Sequence, residues 1–273
     1  MNKVLYLLLT GVILLNACEK DADVKLPVVE SKLVVSSFIS PADTIVRVGV
    51  TISQPLYNNS NSSQYLAVEN ATVQINDGSN FQTLAYNSAD KYYFVSTSAF
   101  PITVGSTYYL TISTPDGKNV NASTSIPSQN TTLTYTAETI NNPTYGEMLA
   151  FKTQWYDTPG TEDYYRIVYY DKSVYELDTT FWQAYSNNIS DKDKDGTLLQ
   201  EQFEAYSYSG VDSASGELLL IHASKEYYLY HSKLLTAAYS SGPFSEPVQM
   251  YSNINGGFGV FAGFYPYKVL VTL

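Results

Sequence analysis

Between residues 44 and 52 the chain alternates with a strict period of two, and this pattern more than any other limits what it can fold into. Thr44, Val46, Val48, Val50 and Ile52 fall on one side, and Ile45, Arg47, Gly49 and Thr51 on the other. Successive side chains of a strand point to opposite faces, so the pattern predicts a strand with one buried face. The same period returns at Ala71, Val73 and Ile75, over residues 91–95, and over residues 107–113 with Tyr108, Leu110 and Ile112 inward. Asn76-Asp77-Gly78 and Pro115-Asp116-Gly117 are turn sequences, and a further strand follows over residues 120–126. Short strands at this spacing predict an antiparallel β-sandwich.

A polar break at residues 127–132 divides a first β-sandwich (31–128) from a second β-rich domain (129–273). In the second, Leu149, Phe151, Thr153 and Trp155 alternate, as do Tyr165, Ile167 and Tyr169, and residues 217–223 form another strand. Residues 225–239 break the pattern. Tyr227, Tyr230, Leu234 and Ala238 recur at helical spacing, Ser224 is placed to cap the start, and Ser241-Gly242-Pro243 to end it. The predicted fold is therefore mainly β: two antiparallel β-sandwich-like domains, the first immunoglobulin-like in its run of short strands, with one amphipathic helix in the C-terminal domain.

The first residues carry a different signal. One lysine, an apolar run over residues 4–15 and a small residue precede Cys18, which is the only cysteine of the chain. The run is short for a membrane span and has the layout of a secretory signal. A cysteine directly after the small residue makes it a bacterial lipoprotein signal, with residues 1–17 removed, Cys18 lipidated and residues 18–30 forming a charged tether. A triacylated cysteine exceeds the two lipid chains that stable anchoring needs. No thiol then remains for a disulfide, a thiolate metal site or a nucleophile. Loss of Lys3 leaves 26 acidic against 14 basic residues, a balance of −12 that disfavours nucleic acid and anionic lipid surfaces as partners.

Three groups of residues bear on chemistry. Asp191, Asp193 and Asp195, with Gly196 and the Thr197 carbonyl, have the spacing of a calcium loop, although Gln202 stands where a bidentate glutamate belongs. The loop reads either as a structural calcium site or as a solvated acidic turn. Trp182 and Tyr185 lie in an aromatic cluster, residues 179–185, read as an exposed loop; they are candidates for stacking on a glycan or peptide, or for a satellite core. His222 and His231 lack metal-ligand spacing and read as ordinary packed or surface histidines. The chain has no nucleophile elbow, phosphate loop or zinc-protease motif, so no catalytic residue is assigned. Two suitably spaced carboxylates would suffice for a glycosidase, which keeps that class as a remote alternative.

Two stretches carry family resemblances. Residues 68–127, with Glu69-Asn70-Ala71-Thr72-Val73-Gln74-Ile75, Lys91-Tyr92-Tyr93 and Val104-Gly105-Ser106-Thr107-Tyr108-Tyr109-Leu110, resemble the transthyretin-like, carboxypeptidase-regulatory type of β-sandwich. The runs Gly242-Pro243-Phe244-Ser245-Glu246-Pro247-Val248 and Tyr251-Ser252-Asn253-Ile254-Asn255-Gly256-Gly257-Phe258-Gly259-Val260-Phe261-Ala262-Gly263 resemble the signature of a Bacteroidota lipoprotein family, domain-of-unknown-function family 4249. That resemblance implies an outer-membrane lipoprotein encoded beside a TonB-dependent transporter, and it brings no catalytic residues with it. The resulting expectation is a non-enzymatic, lipid-anchored accessory protein whose partner is that transporter. The alternative is a surface glycan- or peptide-binding lipoprotein.

Overall fold

The structure is a computed structural model. It describes residues 30–54, 66–128, 132–175, 178–206, 213–239 and 248–271, so Cys18, the signal and almost all of the tether lie outside the described residues, as does Ser241-Gly242-Pro243. Fifteen strands and one helix are described, in the order β1 (Leu33–Ile39), β2 (Ile45–Ile52), β3 (Thr72–Asn76), β4 (Phe81–Thr83), β5 (Ala85–Asn87), β6 (Tyr92–Ser96), β7 (Thr107–Ser113) and β8 (Asn119–Ser125). There follow β9 (Thr134–Asn142), β10 (Gly146–Tyr156), β11 (Tyr164–Tyr175), β12 (Asp178–Ser190), β13 (Leu198–Tyr206), β14 (Ser213–Ala223), α1 (Lys225–Tyr239) and β15 (Phe258–Val271). The fold is mainly β, built of several largely antiparallel sheets with a single described helix, as the alternation predicts.

An eight-stranded sheet in the order β12-β11-β14-β15-β1-β2-β6-β5 runs through the molecule. A four-stranded sheet, β4-β3-β7-β8, and a three-stranded sheet, β13-β10-β9, complete the β structure among the described residues. The last long strand joins the first: β15 lies parallel to β1, with Val34 opposite Phe258 and Ile39 opposite Gly263, and antiparallel to β14. Strands from both sides of residue 128 thus share one sheet.

The parity of β15 explains how one sheet serves three cores. Phe261 and Tyr265 pack with Val35, Val48, Tyr108 and Ile112 against the four-stranded sheet. Tyr267, Val269 and Val271, still odd-numbered and on the same face, pack with Phe151, Trp155, Tyr165 and Tyr169 against the three-stranded sheet. Val260 and Ala262 point the other way and meet Tyr164, Val168, Ile221 and Tyr227 under the helix. Because β11 is covered on both faces, Tyr164 and Val168 are as buried as the inward stripe Tyr165, Ile167 and Tyr169 read from the sequence.

Helix α1 begins where expected. Ser224 Oγ accepts the Tyr227 amide at 3.3 Å, and the Ser224 carbonyl accepts the Tyr228 amide at 3.1 Å. The apolar stripe is buried only at its start: Tyr227 is buried, whereas Leu234 and Ala238 are exposed. His231 stacks on Tyr227 with ring centroids 4.0 Å apart and lies 5.2 Å from the ring of Phe38. Burial in this aromatic nest pushes its pKa down to about 4. The native ring is neutral, while the unfolded chain takes up a proton near the ordinary value of 6.5. Its contribution is therefore fully present above pH 6.5 and is lost as pH falls toward 4, by on the order of 2–3 kcal/mol. His231→Phe is expected to flatten urea-measured stability over that interval relative to the native chain; an unchanged slope would refute it.

Candidate functional site

The polar feature that stands out is a buried acidic cluster that no local motif encodes. Asp157 follows the end of β10, Asp163 precedes β11, and Asp191 follows the end of β12. The β11–β12 pairing sets Asp163 beside Asp191, the β10–β13 pairing brings Asp157 to the turn that follows Asp191, and the three carboxylates lie within 4.8 Å of one another. All three residues are buried.

Each oxygen of Asp157 and Asp163 already accepts a bond. The Tyr165 hydroxyl donates to Asp157 Oδ1 at 2.8 Å, and the Gly196 amide to Asp157 Oδ2 at 2.8 Å. His222 Nε2 meets Asp163 Oδ1 at 3.0 Å, and the Thr161 hydroxyl donates to Asp163 Oδ2 at 3.0 Å. His222 Nδ1 lies 2.6 Å from the Ser128 carbonyl, so both ring nitrogens face oxygen atoms. The ring also stacks on Tyr165 at 4.8 Å.

The electrostatics divide the cluster. For Asp163, burial acts upward, but the bond and charge of His222 together with the Thr161 bond hold its carboxyl below the ordinary value. For Asp191, burial pushes the carboxyl up, and the charges of Asp157, Asp163 and Asp195 push the same way against a bond from the Asp163 backbone. Tyr165 is driven well above the ordinary phenol range by burial and by its bond to Asp157. The cluster holds one carboxyl firmly ionised and disfavours ionisation of another.

The structure places the residues singled out by the calcium-type spacing differently from a coordinating loop. Only Asp191 turns inward; Asp193 and Asp195 are exposed, and Asp195 accepts the Gly160 amide at 2.8 Å. The Thr197 carbonyl is taken by the Asp157 amide at 3.0 Å. The carboxylate that joins Asp191 comes from Asp157 and Asp163, 34 and 28 residues earlier in the chain. These are hard oxygen donors of the kind a divalent cation takes, and the bonds of Asp157 to the Gly196 amide and of Asp195 to the Gly160 amide pin the 191–197 turn onto the 157–163 turn. Trp182 and Tyr185 lie in β12 rather than in an exposed loop, at the sheet margin, with Asp171 opposite Trp182 and Val168 opposite Tyr185. Their side chains lie outside the described residues.

A second polar feature is a cleft of about 350 Å³ at the start of α1, lined by Thr124, Glu162, Asp163, Ser224, Lys225 and Glu226 among others. The Thr124 hydroxyl donates to Glu226 at 3.2 Å, and Lys225 pairs with Glu162 at 3.3 Å. Bonds from Tyr164 and Lys225 hold Glu162 below the ordinary carboxyl range. A general acid needs the opposite shift.

The signature segment near the C-terminus acts as a stitch. The Asn253 side chain pairs with the Phe261 backbone in both directions, Nδ2 to the carbonyl at 2.8 Å and the amide to Oδ1 at 3.0 Å. It also reaches the Ser123 carbonyl at 3.2 Å, and Asn255 bridges to Asn121. The Gly263 amide donates to Thr124 Oγ1 at 2.9 Å, and its carbonyl accepts the Ser224 amide at 2.9 Å. Residues 253–263 thereby tie β8, β15 and the cap of α1 into one framework. Phe261 is fully buried in the core, while Phe258 remains exposed.

No curated protein matches the chain by sequence. A family model does, over residues 19–268, a span that contains both the stitch and the acidic cluster. The chain belongs to the family described as domain of unknown function (DUF4249).

Proposed function

We propose that this protein is a non-enzymatic accessory protein, anchored to the outer membrane by lipid on Cys18, and that it works by contact with a TonB-dependent transporter. The observation that carries the reading is the use made of its polar groups. In the acidic cluster, His222, Tyr165, Thr161 and the Gly196 amide bond to carboxylates and thereby lock three strand ends. In the cleft at α1, Glu162 is held ionised by its neighbours, which is the wrong state for an acid catalyst. Groups spent on scaffold rigidity suit a protein whose output is a shaped surface. The N-terminal signal supplies the address.

Native protein solubilised in several mild detergents is expected to co-purify with a transporter barrel, and its intact mass to include the acyl chains on Cys18. Recovery of the protein alone in every detergent would contradict the reading. A second reading, capture of a glycan, is favoured by the hydroxyl- and carboxylate-lined cleft at α1. Calorimetry against soluble oligosaccharides tests it: heat that disappears with Glu226→Ala supports capture there, and silence across the panel removes it.

A further inference from the structure

Apolar side chains are left in the open at one end of the long sheet. A groove of about 580 Å³ is lined by Val34, Tyr230, Met250, Tyr251, Phe258 and their neighbours. Phe258 is 47% exposed and Met250 38%, and Leu234, one helical turn beyond Tyr230, is 46% exposed. Lys32 Nζ lies 5.2 Å above the Phe258 ring, placing a cation at the rim of the patch.

The location of this patch is set by the parallel pairing of β15 with β1. Val34, at the start of β1, is opposite Phe258, at the start of β15. The exposed rings therefore lie where the chain coming from Cys18 enters the sheet. Fourteen residues separate Cys18 from Leu33, and the fifteen steps between them span at most about 50 Å. We propose that, in the anchored protein, the patch formed by Tyr230, Leu234, Met250, Tyr251 and Phe258 rests in the bilayer interface. This rests on the lipid-anchor reading given above and adds a second contact to it.

The bilayer is the occupant that the observations favour. A stable protein interface buries roughly 1,000 Å² or more, and the five side chains of the patch, each less than half exposed, offer far less. A protein already tethered needs only weak partitioning, because the anchor keeps the surface at high effective concentration. Tyrosine and phenylalanine beside a lysine are suited to the boundary between headgroups and acyl chains, where ring bodies are buried and polar tips remain wet. The balance of −12 left after loss of Lys3 makes a zwitterionic surface the appropriate one.

The test uses the full lipidated chain in phosphatidylcholine vesicles. Since Cys18 is the only cysteine and carries the acyl chains in this reading, Met250→Cys provides the only free thiol for an environment-sensitive fluorophore. Phe81→Cys is the control, at a residue 73% exposed in β4 and outside the patch. The expected result is blue-shifted emission at position 250, quenched several-fold more strongly by a lipid-borne quencher than emission at position 81. Protein that floats with vesicles while both labels report water overturns the inference and leaves the anchor standing. Equal shifts at both positions also overturn it. So does shielding at position 250 that appears without vesicles and grows with protein concentration, the mark of a second copy. Protein that does not float and has no acyl mass removes the anchor reading and the inference with it.

Discussion

Gly259→Val is expected to remove about 4 kcal/mol or more of folding stability, with the loss read as a lower urea midpoint. Gly259 sits second in β15, opposite Val35 of β1. Its φ is +107°, a backbone conformation that a β-branched residue adopts only under strain. A Cβ at that position would lie 1.9 Å from the Val35 carbonyl oxygen and 2.8 Å from the Val35 carbonyl carbon and amide nitrogen. All three are backbone atoms in a buried strand, so no side chain can swing aside. The parallel β1–β15 pairing must open, and with it the ordered packing of Phe261 and Val260 on the two faces of the sheet. Gly117→Ala is the matched control: its φ is +89°, but nothing lies within 4 Å of the added carbon. That substitution should cost only the conformational strain, about 1–2 kcal/mol. Equal losses at the two positions would show that close approach of β1 and β15 is not what requires glycine at 259.

The acidic cluster gives the second large effect. His222→Leu is expected to cost about 3 kcal/mol, because it leaves the buried Asp163 carboxylate without its ring-nitrogen partner and beside two further carboxyls. Asp191→Asn should act in the opposite sense, raising stability at pH 7 by about 1 kcal/mol through relief of like-charge crowding. The pH dependences differ in sign. Asp163, whose carboxyl is held below its ordinary value of 3.8, contributes stability that is present above that pH and lost as pH falls through its folded value. Asp191, whose carboxyl is raised, favours the folded state only while protonated, so stability falls as pH rises from 3.8 through its folded value. Urea melts from pH 3 to 8 should show Asp191→Asn gaining on the native chain as pH rises. A steady loss across that range would mean that the Asp191 charge is stabilised by something the side chains around it do not supply.

Much of the β framework is legible from periodicity. The alternation through Val46, Val48 and Val50 gives β2 its buried face, and the stripes Tyr108-Leu110-Ile112 and Phe151-Thr153-Trp155 are buried as read. The helix over residues 225–239 is found at its predicted bounds because its apolar spacing and the Ser224 cap are local signals. Strand β12 is missed because its run of Thr179, Thr180, Phe181, Trp182 and Gln183 has no clean alternation, and pairing with β11 fixes it as a strand instead. The parallel union of β1 with β15 joins residues more than 200 positions apart, which no window of sequence reports.

The acidic cluster is hidden for the same reason. The local spacing of Asp191, Asp193 and Asp195 draws the eye, yet only Asp191 belongs to the buried group, because Asp193 and Asp195 lie on the outer side of a turn. Asp163 beside Glu162 reads as a loop charge until β10, β11 and β12 set their ends together. The available sequence signal was slight: single aspartates just past strand ends, at Asp157 and Asp191, and one just before a strand, at Asp163. Such residues become informative only once strand pairing is known.

The central claim is that this protein acts beside a transporter in the outer membrane. The most direct measurement is crosslinking of the native protein in intact outer membranes, followed by identification of what is joined to it. A TonB-dependent transporter barrel is the expected dominant crosslinked partner. Crosslinks confined to the protein itself, at reagent levels that join other envelope complexes, would contradict it.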